Sequence, residues 1–177
     1  MRCRQGPEHE RGGARRCRPA FQRQHCRKPP ARTHWRSLGS RRLCALSSRL
    51  DCWEPDLNEA RPGDLRDTST PRDIQALYES LLLGDALSVL GQARLRGWML
   101  RNTTAGKRLG AAVPPGAELA DKTGAGHYGV VNDAGVVWPD QARPLTLAVM
   151  TRTDRQDAVN YNVVVARVGQ LIFGELL

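Results

Sequence analysis

Two stretches of the chain carry apolar residues at helical spacing. The first follows Thr70-Pro71 and runs over about 71–83; Thr70 can cap a helix, and Pro71 suits the first helical position. Gly84 ends it. The second runs over about 88–101, with an expected inward face of Leu90, Leu95, Trp98 and Met99. The spacing therefore predicts two helices joined by a short turn.

Three short runs that follow are extended in character, over 117–126, 129–138 and 145–153. They predict consecutive antiparallel strands, and the third alternates so poorly that we expect burial on both of its faces. A final helix is predicted over about 155–176, with its apolar stripe at Val159, Val163, Ala166, Val168, Leu171 and Ile172. The predicted fold class is α+β, with the C-terminal helix packed on the antiparallel sheet.

Residues 1–48 differ from the rest in both pattern and charge. The first 50 residues carry fourteen basic side chains against two acidic ones, or +12, while the remainder carries −3. Without apolar periodicity such a segment cannot offset its ordering entropy, so we predict that it is disordered. An alternative is a basic arm that binds nucleic-acid phosphates, although Phe21 and Trp35 are its only aromatic residues.

The cysteines and the hydropathy pattern exclude several kinds of site. The five Cys show neither paired metal-ligand spacing nor a regular disulfide framework, so we expect no metal site. No window reaches the roughly 18 apolar residues of a membrane span. The start of the chain has Arg but no apolar segment, so no secretory signal is recognisable and a cytoplasmic location is one expectation for the chain as written.

Two motifs carry chemistry. The first is Lys122-Thr123-Gly124, or K-T-G, on the first predicted strand. We expect that strand to bear Lys and Thr on one face, where an ammonium group and a hydroxyl could bind a carboxylate. The second is a long loop over 49–69, rich in Asp, Glu, Asn, Pro and Gly. Loops of this length without secondary structure are usually functional or disordered.

Arg49–Ala60 resembles the Ω-loop of class A serine β-lactamases, and Arg66–Pro71 resembles its exit. K-T-G is a signature of these enzymes and of penicillin-binding proteins, but the latter would not be expected to carry the Glu54–Asn58 loop. The chain is therefore similar to the C-terminal part of a two-subdomain class A β-lactamase, over residues 49–177. The resemblance implies hydrolysis of the β-lactam amide by a secreted or periplasmic monomer. It implies no cofactor and no specific nucleic-acid or membrane partner.

The resemblance also implies roles for individual residues. Glu54 is the general base that activates the deacylating water, and Asn58 helps to hold that water. Lys122 stabilises negative charge near the substrate carboxylate, and Thr123 hydrogen-bonds that carboxylate. Gly124, being small, lets the ligand approach the backbone.

Two further groups follow from the resemblance. The backbone N–H of Ala125 is half of an oxyanion hole. Arg108 matches an arginine with which some members bind the substrate carboxylate; a structural, exposed Arg is the alternative. Other members supply that cation from the strand after K-T-G, where this chain has Val131.

The chain departs from the family pattern at two places. Cys52 stands where an Arg usually pairs with the aspartate matched by Asp67, so we expect a looser loop. The family's nucleophile lies in S-x-x-K and a second serine in S-D-N, yet no S-D-N occurs and none of the three Lys has Ser three residues earlier. We therefore expect no turnover by this chain, and a non-catalytic remnant is the alternative function.

The missing motifs suggest a frame shift. Read one nucleotide later, degenerate codons for Gln22–Ala31 permit S-D-N-T-A-A-N-L-L-L, the family's usual sequence around its second serine. The hypothesis is that residues 1 to about 46 are an out-of-frame reading of the family's helical domain. It also accounts for the 24 Arg against 3 Lys. Sequencing the gene tests it. The family sheet also uses N-terminal strands that this chain lacks, so we expect the exposed sheet edge to favour aggregation.

Overall fold

The computed structural model describes residues 47–53 and 55–176. Of the segment 1–48 that is predicted to be disordered, residues 1–46 lie outside the described residues, and so does the predicted general base Glu54. The described elements, in chain order, are α1 (Pro71–Leu82), α2 (Val89–Met99), β1 (Glu118–Ala125), β2 (Val131–Trp138), β3 (Leu145–Thr151) and α3 (Asn162–Leu176), with short 3₁₀ turns at Asp56–Asn58, Ala105–Lys107 and Leu109–Ala111. The α+β fold class with a C-terminal helix is confirmed. No helix in the described part of the chain is long and apolar enough to cross a bilayer.

Side-chain caps set the starts of the first two helices. Thr70 Oγ1 accepts the backbone N–H of Asp73 at 3.1 Å, with Pro71 in the first helical position. Ser88 Oγ accepts the N–H of Gly91 at 3.2 Å and starts α2 in the same way. Each cap satisfies a backbone donor that the helix itself leaves without a partner.

The sheet is an antiparallel meander in the order β1-β2-β3. The expectation that β3 is buried on both faces is wrong. β2 is the most buried of the three strands, and Leu147 is the only buried residue of β3. The reason is topological, because β2 has a partner on each side whereas β3 has one among the described strands. Poor alternation of apolar and polar residues indicates that a strand is rich in apolar side chains. How much of the strand is buried depends on the elements packed around it.

Two apolar clusters cover the two faces of the sheet. One joins α3 to the sheet through Leu109, Val131, Val137, Leu147, Val165 and Phe173. The other joins α1 and α2 to it through Leu82, Met99, Ala120 and Val136. Val136 and Val137 belong to different clusters because successive residues of a strand point to opposite faces.

The predicted faces of two helices need correction. In α2, Met99 is buried and Leu95 packs beside it, but Leu90 and Trp98 are 62% and 64% exposed. In α3, Ala166 is buried as expected, but the other buried residues are Val165, Gly169 and Phe173. Val159, Val163 and Leu171 are exposed. Both helices carry apolar residues around much of their circumference, so periodicity alone did not select the packed face.

The last helix begins at Asn162, so the predicted start near 155 is wrong. The residues before it bind the β1–β2 turn. The N–H of Thr153 donates to Tyr128 O at 2.8 Å, and the N–H of Tyr128 donates to Gln156 O at 3.4 Å. These tertiary hydrogen bonds take the place of a first helical turn.

Candidate active site

The K-T-G motif lies in the second half of β1, close to the turn into β2. Thr123 is buried and Lys122 is exposed, so the two side chains occupy opposite faces of the strand. The expectation that they share one face is therefore wrong, because side chains alternate along a strand. Thr123 Oγ1 is hydrogen-bonded to Thr104 Oγ1, and Lys122 Nζ donates to the Thr123 carbonyl at 2.6 Å.

Arg108 reaches the same end of β1 from the segment that precedes the strand. Its Nη1 donates to the carbonyls of Gly124 and Asn132, both at 2.7 Å, and its Nε donates to Asn162 Oδ1 at 2.8 Å. The residue is 9% exposed, so the alternative is wrong in its exposure, while the three hydrogen bonds give Arg108 the structural role that the alternative assigned to it. A buried cation thus lies directly against Gly124, two residues from the Lys122 ammonium group.

The loop over 49–69 is closed at its neck by Asp67. Its Oδ1 accepts the backbone N–H of Asp51 at 2.7 Å and that of Cys52 at 2.9 Å. The N–H of Asp67 donates in return to Asp51 Oδ2 at 3.2 Å. Cys52 itself is buried. The neck therefore keeps contacts to the Asp67 carboxylate, although Cys52 replaces the arginine of the family pattern.

A second set of contacts stiffens the inner part of this loop. Arg66 donates to both carboxylate oxygens of Asp64, and its Nη2 lies 3.5 Å from Glu59 Oε2. The hydrogen bond from Arg66 lowers the pKa of Asp64 below its ordinary value. At the neck, the hydrogen bond from Arg49 does the same to the pKa of Asp51. Both carboxylates are therefore held in the ionised form.

Removing the Asp67 carboxylate is expected to open the neck. We expect Asp67→Ala to lower the free energy of unfolding by about 1–3 kcal/mol, because the N–H groups of Asp51 and Cys52 lose their acceptor. The backbone at Asp67 is also left-handed, with φ of 53°, which Asn tolerates better than Ala. Asp67→Asn retains one acceptor oxygen and should lose less than half as much in a urea titration. Equal losses would show that this oxygen does not close the neck.

The loop docks onto the end of β1. The Asn58 carbonyl accepts the backbone N–H of His127 at 3.2 Å. A Cβ atom at Gly126 would lie 2.9 Å from that carbonyl, so only glycine allows the approach. Asn58 is thereby placed beside Ala125 and Gly126, immediately after K-T-G. The structure thus brings together Asn58, Arg108 and the strand Lys122–Ala125, which are far apart in sequence.

Two carboxyl groups behind β1 were not singled out by the sequence. Asp121 and Asp133 are 2% and 0% exposed. Burial raises the pKa of Asp121 to about 7, helped by its hydrogen bond to Asp133 and by the charge of that group. Burial also raises the pKa of Asp133. The available signal was an Asp in the interior of each of two predicted strands, next to Ala120 in one and Ala134 in the other, since unpaired acids are rarely fully buried.

The cationic side chains of this site can bind an anion next to the loop over 49–69. Lys122 and Arg108 provide two cations near Gly124, and β1 lies at the edge of the described sheet. Among the residues that the structure describes, no cluster of three His, Cys, Asp or Glu side chains could hold a metal ion. Recognition of a carboxylate or another oxyanion is what such donors do best.

Comparison with known proteins identifies the family. The sequence model of the Beta-lactamase enzyme family matches residues 32–176, and so begins upstream of the boundary that the sequence analysis placed at residue 49. A β-lactamase from Streptomyces lavendulae is 48% identical over 141 residues, which are 80% of this chain and 45% of that protein. A β-lactamase from Streptomyces albus G is 46% identical over 137 residues, covering 77% of this chain and 42% of that protein.

Solved structures give the same result. The structure of the β-lactamase from Streptomyces albus G superposes with a TM-score of 0.73 at 45% identity, covering 81% of this chain and 52% of that one. A β-lactamase from Burkholderia phymatum gives a TM-score of 0.72 at 35% identity, covering 80% and 52%. The chain thus spans about half the length of the relatives that it matches. On this sequence and structural similarity, the chain belongs to the β-lactamase family.

Proposed function

We propose that this chain supplies the substrate-recognition and deacylation half of a β-lactam-hydrolysing site. The observation that carries the proposal is the convergence of Asn58, Arg108 and Lys122–Ala125 on one end of β1. In this proposal the carboxylate of a β-lactam lies at the free edge of β1, so that Lys122 on one face of the strand and Thr123 on the other both reach it. Arg108 adds a second cation beside Gly124.

The electrostatic part of the proposal rests on burial and on the edge position of β1. Arg108 is held by three hydrogen bonds, so its charge is fixed in place before a ligand arrives. Fixed donors that do not reorganise are more effective than mobile ones. Ala125 is the last residue of β1, where a backbone N–H directed away from β2 could serve as an oxyanion donor.

The deacylation part rests on the loop. Glu54 would act as the general base and Asn58 would help to position the attacking water. The closed neck at Asp67 and the contact between Asn58 and His127 support a loop held against β1. Because the chain has no S-x-x-K, we propose that it forms no acyl-enzyme by itself.

A chimera tests the proposal. Residues 49–177 of this chain replace the aligned part of the Streptomyces albus G β-lactamase, whose N-terminal part would supply the S-x-x-K serine that the class A resemblance implies. We expect the chimera to hydrolyse a chromogenic cephalosporin and the 177-residue chain to show no turnover. A chimera that folds, as judged by circular dichroism, but hydrolyses nothing would contradict the proposal.

Two lysine variants of the chimera make the test specific. Lys122→Ala removes the proposed carboxylate ligand and should raise KM, by about tenfold or more for the loss of a charged hydrogen bond of roughly 1.5–3 kcal/mol. Lys107→Ala removes an exposed ammonium group from a 3₁₀ turn before the same strand and should leave KM unchanged. An equal effect of the two changes would assign it to net charge instead of to a specific contact.

A further inference from the structure

The buried carboxyl groups of Asp121 and Asp133 lie on neighbouring strands. Asp133 is opposite Thr123 in the β1–β2 register, and Asp121 is opposite Gly135, so the two acids are diagonal neighbours. Both belong to the positions that alternate with Lys122 along the sheet. Two ionised carboxylates in such a place would each lose hydration and repel one another.

One carboxylate oxygen of the pair lacks a hydrogen-bond donor among the described residues. Asn102 Nδ2 donates to Asp121 Oδ2 at 2.7 Å, and the backbone N–H of Leu109 donates to Asp133 Oδ2 at 3.1 Å. The second oxygen of Asp133, Oδ1, is buried and has no donor partner among the described groups. A proton on Asp121 would supply the missing donor to the Asp133 carboxylate, and the two carboxyl groups lie close enough for each to shift the pKa of the other.

The charged groups around Asp121 and Asp133 are consistent with one proton bound by the two carboxyl groups together. Burial raises the pKa of Asp133, and the positive charge of Arg108, from the segment before β1, opposes part of that rise. From α1, Tyr78 has its own pKa raised by burial and by the two acids, so its phenol stays neutral. Lys122 is adjacent in sequence but on the other face of the strand. One carboxylate charge is thus matched by one buried guanidinium group.

The same contacts tie both ends of residues 102–109 to the sheet. Asn102, bound to Asp121, also accepts the Oγ1–H of Thr104 at 2.7 Å, and Thr104 is hydrogen-bonded to Thr123. At the other end, Leu109 is bound to Asp133 and follows Arg108 directly. Thr123 and Arg108 are the two groups of the proposed site that this segment positions.

We propose that Asp121 and Asp133 share one proton and act as positioning residues, clamping residues 102–109 against β1 and β2 so that Arg108 and Thr123 are held for ligand binding. The clamp itself follows from the described contacts, whereas its effect on a ligand rests on the proposed function. Loss of the shared proton puts two buried negative charges behind the strand. Their desolvation and mutual repulsion outweigh the stronger hydrogen bond that Asn102 makes to an ionised Asp121, so the two acids separate and the segment loosens.

The pH dependence has a defined sign. Asp121 has a pKa of about 7 in the folded chain, above the ordinary value of 3.8. The folded chain therefore binds a proton that the unfolded chain has released in this window. The resulting stabilisation is complete below pH 3.8 and is lost as the pH rises through about 7.

Hydrogen exchange in the full 177-residue chain tests the clamp. We expect the Leu109 amide, corrected for intrinsic exchange, to exchange at least about tenfold faster at pH 9 than at pH 6, as expected for loss of a hydrogen bond to a charged acceptor. In Asp121→Asn the new side-chain amide donates a hydrogen bond to Asp133 at every pH. The pH dependence of Leu109 exchange should therefore vanish, while the Leu109 N–H stays protected. Asp133→Asn offers a second variant with the same expected loss of pH dependence. Asp140→Asn, at an exposed position, is the matched control and should behave as the parent chain.

Two results would overturn the clamp. One is a ¹³C carboxyl titration in which both acids ionise below pH 5. The other is an Asp121→Asn chain with the pH dependence of the parent.

An NMR titration with benzylpenicillin tests the proposed effect of the clamp on ligand binding. The parent chain should bind benzylpenicillin more weakly at pH 9 than at pH 6, and Asp121→Asn should bind it equally at both. Absence of binding at either pH would count against the proposed function, while exchange at Leu109 still decides the clamp.

Discussion

Replacing Glu54 by Gln in the chimera with the Streptomyces albus G enzyme is expected to stop the reaction at the acyl-enzyme. A general base contributes about 10²–10⁴-fold to such a step, so kcat should fall by that factor. Acylation depends on the nucleophile of the other part and should continue. The covalent adduct should therefore accumulate, and mass spectrometry of the quenched protein measures it directly.

Glu59→Gln is the control for this experiment. Glu59 lies in the same loop and forms ion pairs with Arg61 and Arg66, both with partly exposed side chains. Exposed ion pairs contribute only about 0–1 kcal/mol, so this change should leave turnover nearly intact. If Glu59→Gln and Glu54→Gln slow turnover equally, the effect belongs to the loop as a whole and the assignment of Glu54 as base fails.

Replacing Gly135 by Ala is expected to unfold the sheet or to destabilise it severely. A Cβ atom at Gly135 would lie 2.6 Å from the Asp121 Cα and would also overlap the Ala120 carbonyl oxygen. Both obstacles are backbone atoms of β1, so β1 and β2 would have to separate. Overpacking usually costs about 1–3 kcal/mol and can cost more, against a total stability of roughly 5–15 kcal/mol for a complete domain. We expect the upper end of that range or beyond, because backbone cannot rotate out of the way as a side chain can.

Gly174→Ala is the matched control in α3. A Cβ atom there meets nothing within 4 Å. Alanine is favoured over glycine inside a helix by up to about 1 kcal/mol, so this variant should be as stable as the parent or slightly more stable. Urea unfolding followed by circular dichroism compares the two. Equal midpoints for Gly135→Ala and Gly174→Ala would contradict the close approach of the strands.

Local signals account for what the sequence predicted well. Thr70-Pro71 starts α1 because a cap acts on the N–H groups of the next few residues. The runs around K-T-G became strands bounded by Pro and Gly, as the turn residues indicated. The family was recognisable for the same reason, because the loop over 49–69 and K-T-G are each an uninterrupted run of sequence.

The buried faces of the helices and the start of the last helix lay beyond such signals. In α3 the apolar residues surround the helix, so the partner surface formed by Leu109, Val137 and Leu147 selected which ones are buried. The start of α3 was decided by hydrogen bonds from Thr153 to Tyr128, which are distant in sequence.

The residues of the candidate site show the same difference between local and tertiary information. The chemical identity of Lys122, Thr123 and Asn58 as candidate groups was determined by the sequence alone, because residue type and spacing are contained within each motif. Only the tertiary structure decided that Arg108 contacts Gly124 and that Asp121 and Asp133 meet behind the strand. Both outcomes depend on the pairing of β1 with β2 and on the return of residues 102–109 to the sheet. Contacts across such distances are set by packing and burial, which no local pattern encodes.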